Sequence, residues 1–295
     1  MIECVPNVSE GRRARVIRKL VATVQAAPGC CLLDVHSDPD HNRSVLTFAG
    51  APAAVKAGAL ALASAAIHLV DLRHHTGVHP RIGAIDVIPF VPLGGADLDL
   101  CVRLARETAQ GIATAHGVPV YLYGAASLEG EARTLAGLRA GGFEALVAGG
   151  LRRAPDFGPP DVHPTAGAIA VGARLPLIAF NVLLDTADAA VARAVARAVR
   201  ESGGGLPGVQ ALGLYLPHRG TAQVSMNLLD YRRTSITELL RAVVDAAHQG
   251  GSRVVAAELV GLAPSEALDG LDPGAVPGLP DLSRSIESRL AACAG

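Results

Sequence analysis

The sequence predicts an α+β protein made of two ferredoxin-like α/β subdomains, and three observations carry that expectation. Short β-branched runs alternate with helical periods along the 295 residues. The alternation occurs twice, and a proline-rich stretch at 154–167 separates the two rounds. Half of the residues are hydrophobic and 18% are charged, which supplies a core for each half and argues against a disordered chain.

Ile2 to Pro6 reads as a strand, and Asn7-Val8-Ser9-Glu10-Gly11 turns it into a helix over 12–26. There Val16, Ile17, Leu20, Val21 and Val24 form one stripe, with Arg12, Arg13, Arg15, Arg18 and Lys19 outside it. Pro28-Gly29 ends that helix. Cys30 to Val35 and Val45 to Phe48 are then hairpin strands around a loop, His36 to Ser44, dense in Asp, His, Asn and Arg. A helix over 52–70, a strand Ile85 to Val91, a helix over 98–116 and a strand over 118–124 follow. Pro89 suits a sheet edge or a strand end, because it lacks the N–H that a central ladder needs.

The segment 128–151 is glycine-rich connecting structure with a helical pattern, and the four prolines of 154–167 forbid a helix there. Strands Ala168 to Val171 and Leu175 to Leu184, a helix over 186–199, strands 209–216 and 222–227, a helix over 235–248 and a strand 254–259 make a β-β-α-β-β-α-β second half. The subdomains are thus expected at 1–167 and 168–295. Leu262 to Gly295 reads as peripheral, closing with a short helix over 281–293.

Composition excludes several partners. The 26 Lys and Arg against 27 Asp and Glu give a net charge of -1, without the basic footprint of a nucleic-acid binder. Aromatic residues are 3% with no tryptophan, so stacking platforms for bases are scarce. The five cysteines show no CxxC spacing, which fits reduced thiols in a cytoplasmic protein rather than a zinc array. The N-terminus has no secretory pattern, and Lys56, Ser64 and His68 interrupt the apolar run from Ala51 to Val70, so a buried helix is expected and no membrane span. No GxGxxG or P-loop links a strand to a helix.

Six of the ten histidines, His36, His41, His74, His75, His79 and His163, fall in three loops beside Asp38, Asp40, Asn42, Arg43, Arg81 and Asp86. Histidine accepts and returns protons near neutrality, so the clustering points to acid–base chemistry. His75 and His79 are spaced like a zinc-helix pair, but Gly77 and Pro80 disfavour a helix, and no metal ligand is assigned. Cys30 and Cys31 sit in a buried strand pattern that leaves a thiol inert.

Several motifs, in order through most of the chain, carry a resemblance: Ile2 to Gly11, Asn42-Arg43-Ser44, His79-Pro80-Arg81-Ile82-Gly83-Ala84-Ile85-Asp86-Val87, Val118 to Gly124, Ala154 to Pro159, Gly172-Ala173-Arg174, Ile178-Ala179-Phe180-Asn181 and Ala222 to Asp230. Together they resemble glutamate formiminotransferase, the formiminotransferase part of formiminotransferase-cyclodeaminase, in a single-function form. The resemblance implies transfer of a formimino group from N-formimino-L-glutamate to N5 of tetrahydrofolate, the acceptor substrate, in histidine degradation. It implies folate bound between the two halves, a homodimer and, since the chain ends before a deaminase part, a separate cyclodeaminase as metabolic partner.

The family's catalytic histidine falls on His79, as general acid and base. Its folate-binding loop falls on Gly158, Pro159, Pro160, Asp161, Val162, His163, Pro164, Thr165, Ala166 and Gly167, where Asp161, His163 and Ala166 depart from the vertebrate form. The carboxylates of both substrates call for arginine forks, for which Arg43, Arg81 and Arg174 are candidates, each equally suited to a structural ion pair. Asp38, Asp40 and Asp86 are candidates to orient the histidines or the amidinium, Asn42 to bind an amide edge, and Asp86 also suits a strand-end cap. The alternatives are a formyl transfer between 5-formyltetrahydrofolate and glutamate, a folate-binding protein without turnover, and a metal-dependent amidine hydrolase.

Overall fold

The computed structural model describes residues 1–128 and 133–294 and divides the chain into two units, Met1–Leu175 and Pro176–Gly295. In chain order the first unit holds β1 (Ile2–Cys4), β2 (Asn7–Val8), α1 (Ala14–Gln25), β3 (Cys30–Asp38), β4 (Arg43–Gly50), α2 (Pro52–Leu69), β5 (Ile85–Pro92), α3 (Leu98–His116) and β6 (Val120–Gly124). It ends with α4 (Leu135–Leu138), α5 (Gly142–Gly149) and β7 (Ile169–Ala173). The expected connecting segment is therefore two short helices, and its part at 129–132 lies outside the described residues.

β1 and β2 behave as one strand interrupted at Val5-Pro6, and both pair with β4 on one side and β5 on the other, all antiparallel. With β3 beyond β4, this is a ferredoxin-like sheet, to which β7 and then β6 are added in parallel beyond β5. The β1/β2 break explains why Pro89 sits inside a central strand and not at an edge. It lies opposite the gap between β1 and β2, where its missing N–H interrupts no ladder, and its carbonyl still accepts from Val5 N at 3.3 Å.

Helices α1, α2 and α3 bury their apolar stripes on one face of this sheet. Leu20 and Val24, Val55 and Leu62, and Leu104 and Ile112 pack with Ile2, Phe48, Ile88, Phe90, Leu122 and Val171, each fully buried large side chain contributing about 1.5 to 3 kcal/mol before entropy is counted. By length and composition α2 could cross a membrane. Its Val55, Ala59, Leu62, Ala63 and Ala66 are instead buried in the core, and its Lys56 pairs with Glu107 at 2.6 Å. Asp97 caps α3 by accepting from Leu100 N at 2.8 Å, and Gly117 ends it in the left-handed conformation.

The second unit runs β8 (Ile178–Leu184), α6 (Ala189–Val199), β9 (Val209–Leu216), β10 (Thr221–Leu228), α7 (Ile236–Gln249), β11 (Val254–Val260), α8 (Ser265–Leu268) and α9 (Ile286–Ala294). Its sheet is antiparallel in the order β11-β8-β10-β9, the ferredoxin-like arrangement. A capping box starts α7, with Ser235 and Glu238 each satisfying the other's backbone N–H.

Two expectations are corrected. The strand after the proline-rich stretch pairs between β5 and β6, so it belongs to the first sheet and the division falls at Leu175/Pro176 rather than after Gly167. The C-terminal stretch is not merely peripheral either: Ala263, Leu268 and Leu279 join the second core, and Ile286 is buried.

Candidate active site

β4, β5 and β7 begin, and β2 and β3 end, at the same edge of the first sheet. This places the hairpin loop 39–42, the turn after β2 and the loops before β5 and β7 side by side. Ser9, His41, Asn42, Arg43, His75, His79, Arg81 and Asp86 line one small pocket there. The pocket therefore lies at the N-terminal ends of the parallel strands, not at the C-terminal ends where open parallel sheets usually bind ligands.

His79 is the centre of the arrangement. The Arg43 guanidinium lies 2.8 Å from its Nε2 through Nη1. Since guanidinium only donates, Nε2 is the acceptor and the imidazole is neutral. The His41 ring stacks on His79 with centroids 5.6 Å apart and planes inclined by 26°. Burial first, then the positive charges of Arg43 and Arg139 and the nearby His41, hold the His79 pKa well below the ordinary histidine value, against a backbone hydrogen bond at Pro80. His79 is thus unprotonated at neutral pH.

His75 is held differently. Arg81 Nε donates to its Nδ1 at 2.9 Å, so the proton lies on Nε2, which donates to the Asn42 carbonyl at 2.8 Å. Burial lowers the His75 pKa, which keeps that neutral tautomer. Both ring nitrogens are engaged, and His75 serves as a strut between the two loops. His74 is solvated, with its side chain 82% exposed, and His36 lies in β3 opposite Val45.

Several predicted ligand groups turn out to hold the chain to itself. The Arg81 fork faces Glu144 of α5, with Nη1 3.0 Å from Oε2 and Nη2 2.5 Å from Oε1, and Nη2 also donates to the His75 carbonyl. It is committed within the protein and is not an open fork. Asp86 is the strand-start cap: Oδ1 accepts from Ile82 N at 2.7 Å and Oδ2 from Arg139 Nε at 2.8 Å. Asn42 Oδ1 accepts from Gly11 N at 2.9 Å, and its Nδ2 donates to the Thr76 carbonyl at 3.0 Å, so its amide edge is occupied. Asn42 has φ +48, a left-handed conformation that asparagine tolerates and that turns the hairpin loop. Asp38 Oδ1 accepts from His41 N at 2.8 Å, and the Asp40 carbonyl accepts from Val78 N at 3.0 Å.

Arg174 is not brought to the pocket. It follows the far end of β7, its N–H bonded to Phe90 O at 3.1 Å, about 16 Å of strand from the edge where the histidines gather.

The stretch from Gly158 to Gly167 does converge on the His79 segment. Ala84 N donates to Ala166 O and Ala168 N to Ile82 O, both at 2.9 Å, while Leu72 N donates to Thr165 O at 2.9 Å. Gly167 has φ +72, and a Cβ there would meet Ile82 O at 2.0 Å, so only glycine permits this approach. His163 shapes the turn, with Nδ1 accepting from Ala166 N at 2.9 Å and from Thr165 N at 3.3 Å, which requires a neutral ring. Within the loop Gly158, Pro160, Asp161 and Pro164 are exposed, Pro159, Val162 and Thr165 are half-buried, and Ala166 is buried.

Sequence reasoning missed Arg139, Glu144, Ser9 and Glu10 as site residues, and placed His41 only within the histidine cluster. Glu10 is buried, yet hydrogen bonds from Arg12 N and Arg13 N and from the Arg13 side chain outweigh burial and lower its pKa. Ser9 Oγ donates to Gly83 O at 2.7 Å, tying the turn after β2 to the His79 segment. The signal for this was the motif Asn7 to Gly11, which carries polar side chains straight after a buried strand.

A neutral histidine beside a guanidinium, in a pocket whose other polar groups brace the loops, is an arrangement that can take up a proton and attract an anion. The particular family follows from comparison with known proteins. Residues 1–174 match the formiminotransferase domain, N-terminal subdomain, and residues 179–272 match the formiminotransferase domain. The glutamate formimidoyltransferase of Streptococcus pyogenes serotype M1 is 41% identical over 91% of this chain and 90% of its own length, and that of Thermoplasma acidophilum is 41% identical over 91% and 89%. The formimidoyltransferase-cyclodeaminase of Sus scrofa is 45% identical over 91% of this chain and 51% of its own, so the chain spans about half of that relative. The chain belongs to the formiminotransferase family.

Proposed function

We propose that this protein is a glutamate formimidoyltransferase, moving the formimino group of N-formimino-L-glutamate to N5 of tetrahydrofolate. The observation that carries the proposal is 41% identity across nearly the whole length of a single-function glutamate formimidoyltransferase. In the reaction N5 attacks the amidine carbon, a tetrahedral carbon forms, and the bond to the glutamate nitrogen breaks. One proton moves from N5 to the departing nitrogen. His79 accepts it and returns it.

What supports this role is the state of His79: neutral, with its Nε2 lone pair directed at a polar partner in a pocket. A depressed pKa leaves the base free at pH 7 and makes its imidazolium a strong acid for the return step. Since each bond change is modest, much of the acceleration comes from holding two substrates together, an effect worth up to about 7 to 11 kcal/mol. The loop from Gly158 to Gly167, hydrogen-bonded to the His79 segment, supports the assignment of folate binding to that loop. We further propose a cytoplasmic homodimer whose product a cyclodeaminase activity consumes.

Incubation of the purified protein with formiminoglutamate and tetrahydrofolate, followed optically, tests the reading. Formation of 5-formiminotetrahydrofolate is expected, with faster turnover than for the formyl exchange between 5-formyltetrahydrofolate and glutamate. Formyl exchange without formimino transfer would replace this donor assignment.

A further inference from the structure

Asp86 is a buried carboxylate in the pocket that holds His79, and a buried charge needs partners. Its two oxygens divide the work. Oδ1 accepts from Ile82 N at 2.7 Å, in the segment that carries His79, while Oδ2 accepts from Arg139 Nε at 2.8 Å and Arg139 Nη2 at 2.5 Å. The Asp86 and Arg139 side chains are 3% and 14% exposed, so solvent screens the pair little. Arg139 directly follows α4. The same stretch grips the His79 segment twice more, through Phe143 N on Arg81 O at 2.9 Å and through Glu144 on the Arg81 guanidinium.

A carboxylate that shares a pocket with a histidine favours the imidazolium, because the opposite charges attract. Asp86 has the place for that, yet His79 is held neutral. Arg139 reconciles the two. Its cation offsets the Asp86 charge, and its two N–H groups keep Oδ2 turned toward α4. It also stands among the positive charges that lower the His79 pKa, after burial and Arg43.

We infer that Arg139 is a positioning residue for the proposed acid–base step: it keeps the Asp86 carboxylate on the backbone of Ile82 and out of an ion pair with His79. The inference rests on the transferase reading for what the base does, and not for the state of the ring. Other charges surround the pocket. The hairpin brings Arg43 and His41 together with the buried carboxylates Asp38 and Asp40. The turn after β2 brings Glu10 with Arg13, and Arg12 on the Pro39 carbonyl. The segment before β5 brings His74, His75 and Arg81, α5 brings Glu144, and the loop before β7 brings His163. All of these are retained when residue 86 or 139 is changed.

The test follows the His79 ring nitrogens by NMR through a pH titration of the whole protein, assigned with His79→Gln. Arg139→Gln removes the cation and is expected to raise the His79 midpoint by about one pH unit. Asp86→Asn keeps an acceptor for Ile82 N but removes the charge, and is expected to lower the midpoint. The double variant is expected to return close to the wild type, an order that a purely structural role for Arg139 would not produce. The acidic limb of kcat/KM is expected to move in the same order. Arg139→Lys, which keeps the charge and loses the fork, is expected to lie between wild type and Arg139→Gln, and it decides the sign if Arg139→Gln does not fold. A midpoint in these Arg139 variants no higher than in the wild type, or a double variant no closer to the wild type than Arg139→Gln, overturns the inference. Formimino transfer is assayed separately: the expected midpoints without transfer would leave this inference standing and remove the transferase reading, and transfer without that order would do the reverse.

Discussion

Arg81 shows at the residue scale how one side chain joins an element to a loop. Its guanidinium holds Glu144 of α5, the His75 ring and the His75 carbonyl at once. Replacing it with methionine leaves two acceptors on His75 without a donor in a buried place. At about 1 to 3 kcal/mol for each of the two unmade bonds, Arg81→Met is expected to cost on the order of 2 to 6 kcal/mol in urea unfolding. Glu144→Gln is expected to cost less than about 1 kcal/mol, because the Glu144 side chain is 64% exposed and its ion pair is screened. Equal losses in the two variants would mean that the Glu144 pair, not the bracing of His75, is what Arg81 contributes. The motif around Arg81 was legible in the sequence. Its partner was not, since Glu144 lies 63 residues away on a helix whose pattern gives no hint of a guanidinium.

The loop from Gly158 to Gly167 is the element whose shape depends most on one protonation state. His163 Nδ1 accepts from the backbone of Thr165 and Ala166, and burial lowers its pKa. Protonation would turn that acceptor into a donor facing two N–H groups. His163→Asn keeps a side-chain acceptor at the same reach and is expected to preserve slow exchange of the Ala166 amide from pH 8 to pH 5.5. The wild type keeps that protection below the ordinary histidine pKa and loses it only once the pH falls through the lowered His163 value, and His163→Leu lacks it throughout. Protection in His163→Leu equal to wild type would show that the Gly167 contacts alone hold the turn. Helices and hairpins were readable from spacing, as Leu20 and Val24 of α1 illustrate. The partner of β7 was not readable, because Ile169 to Ala173 is as apolar as any buried strand and nothing in that pattern states which sheet receives it. That is why the expected boundary fell eight residues early. The site itself divided in the same way: loop histidines stood out by type, while the choice between ligand and brace rested on tertiary partners.

Across the whole molecule, histidines held neutral couple stability to pH. His75, His79, His116 and His163 all have lowered pKa values, with burial the first cause in each. The unfolded chain therefore takes up protons first as the pH falls below about 6.5. Stability contributed by the neutral folded forms is present above that value and is lost on acidification, by up to about 1.4 kcal/mol per pH unit for each histidine that remains neutral when folded. Urea unfolding between pH 7.5 and pH 5 is expected to show this decline, and a smaller slope in His75→Gln. A flat profile over that window would contradict the neutral assignment of these rings.

The central claim joins the pocket to the chemistry: His79 carries the proton in a formimino transfer. A single-turnover reaction with formiminoglutamate and tetrahydrofolate, run on wild type and His79→Ala with folate binding measured in parallel, addresses it most directly. The account predicts 5-formiminotetrahydrofolate from the wild type, and a rate lower by about 10²- to 10⁴-fold in His79→Ala with folate still bound. An unchanged rate in His79→Ala would contradict it.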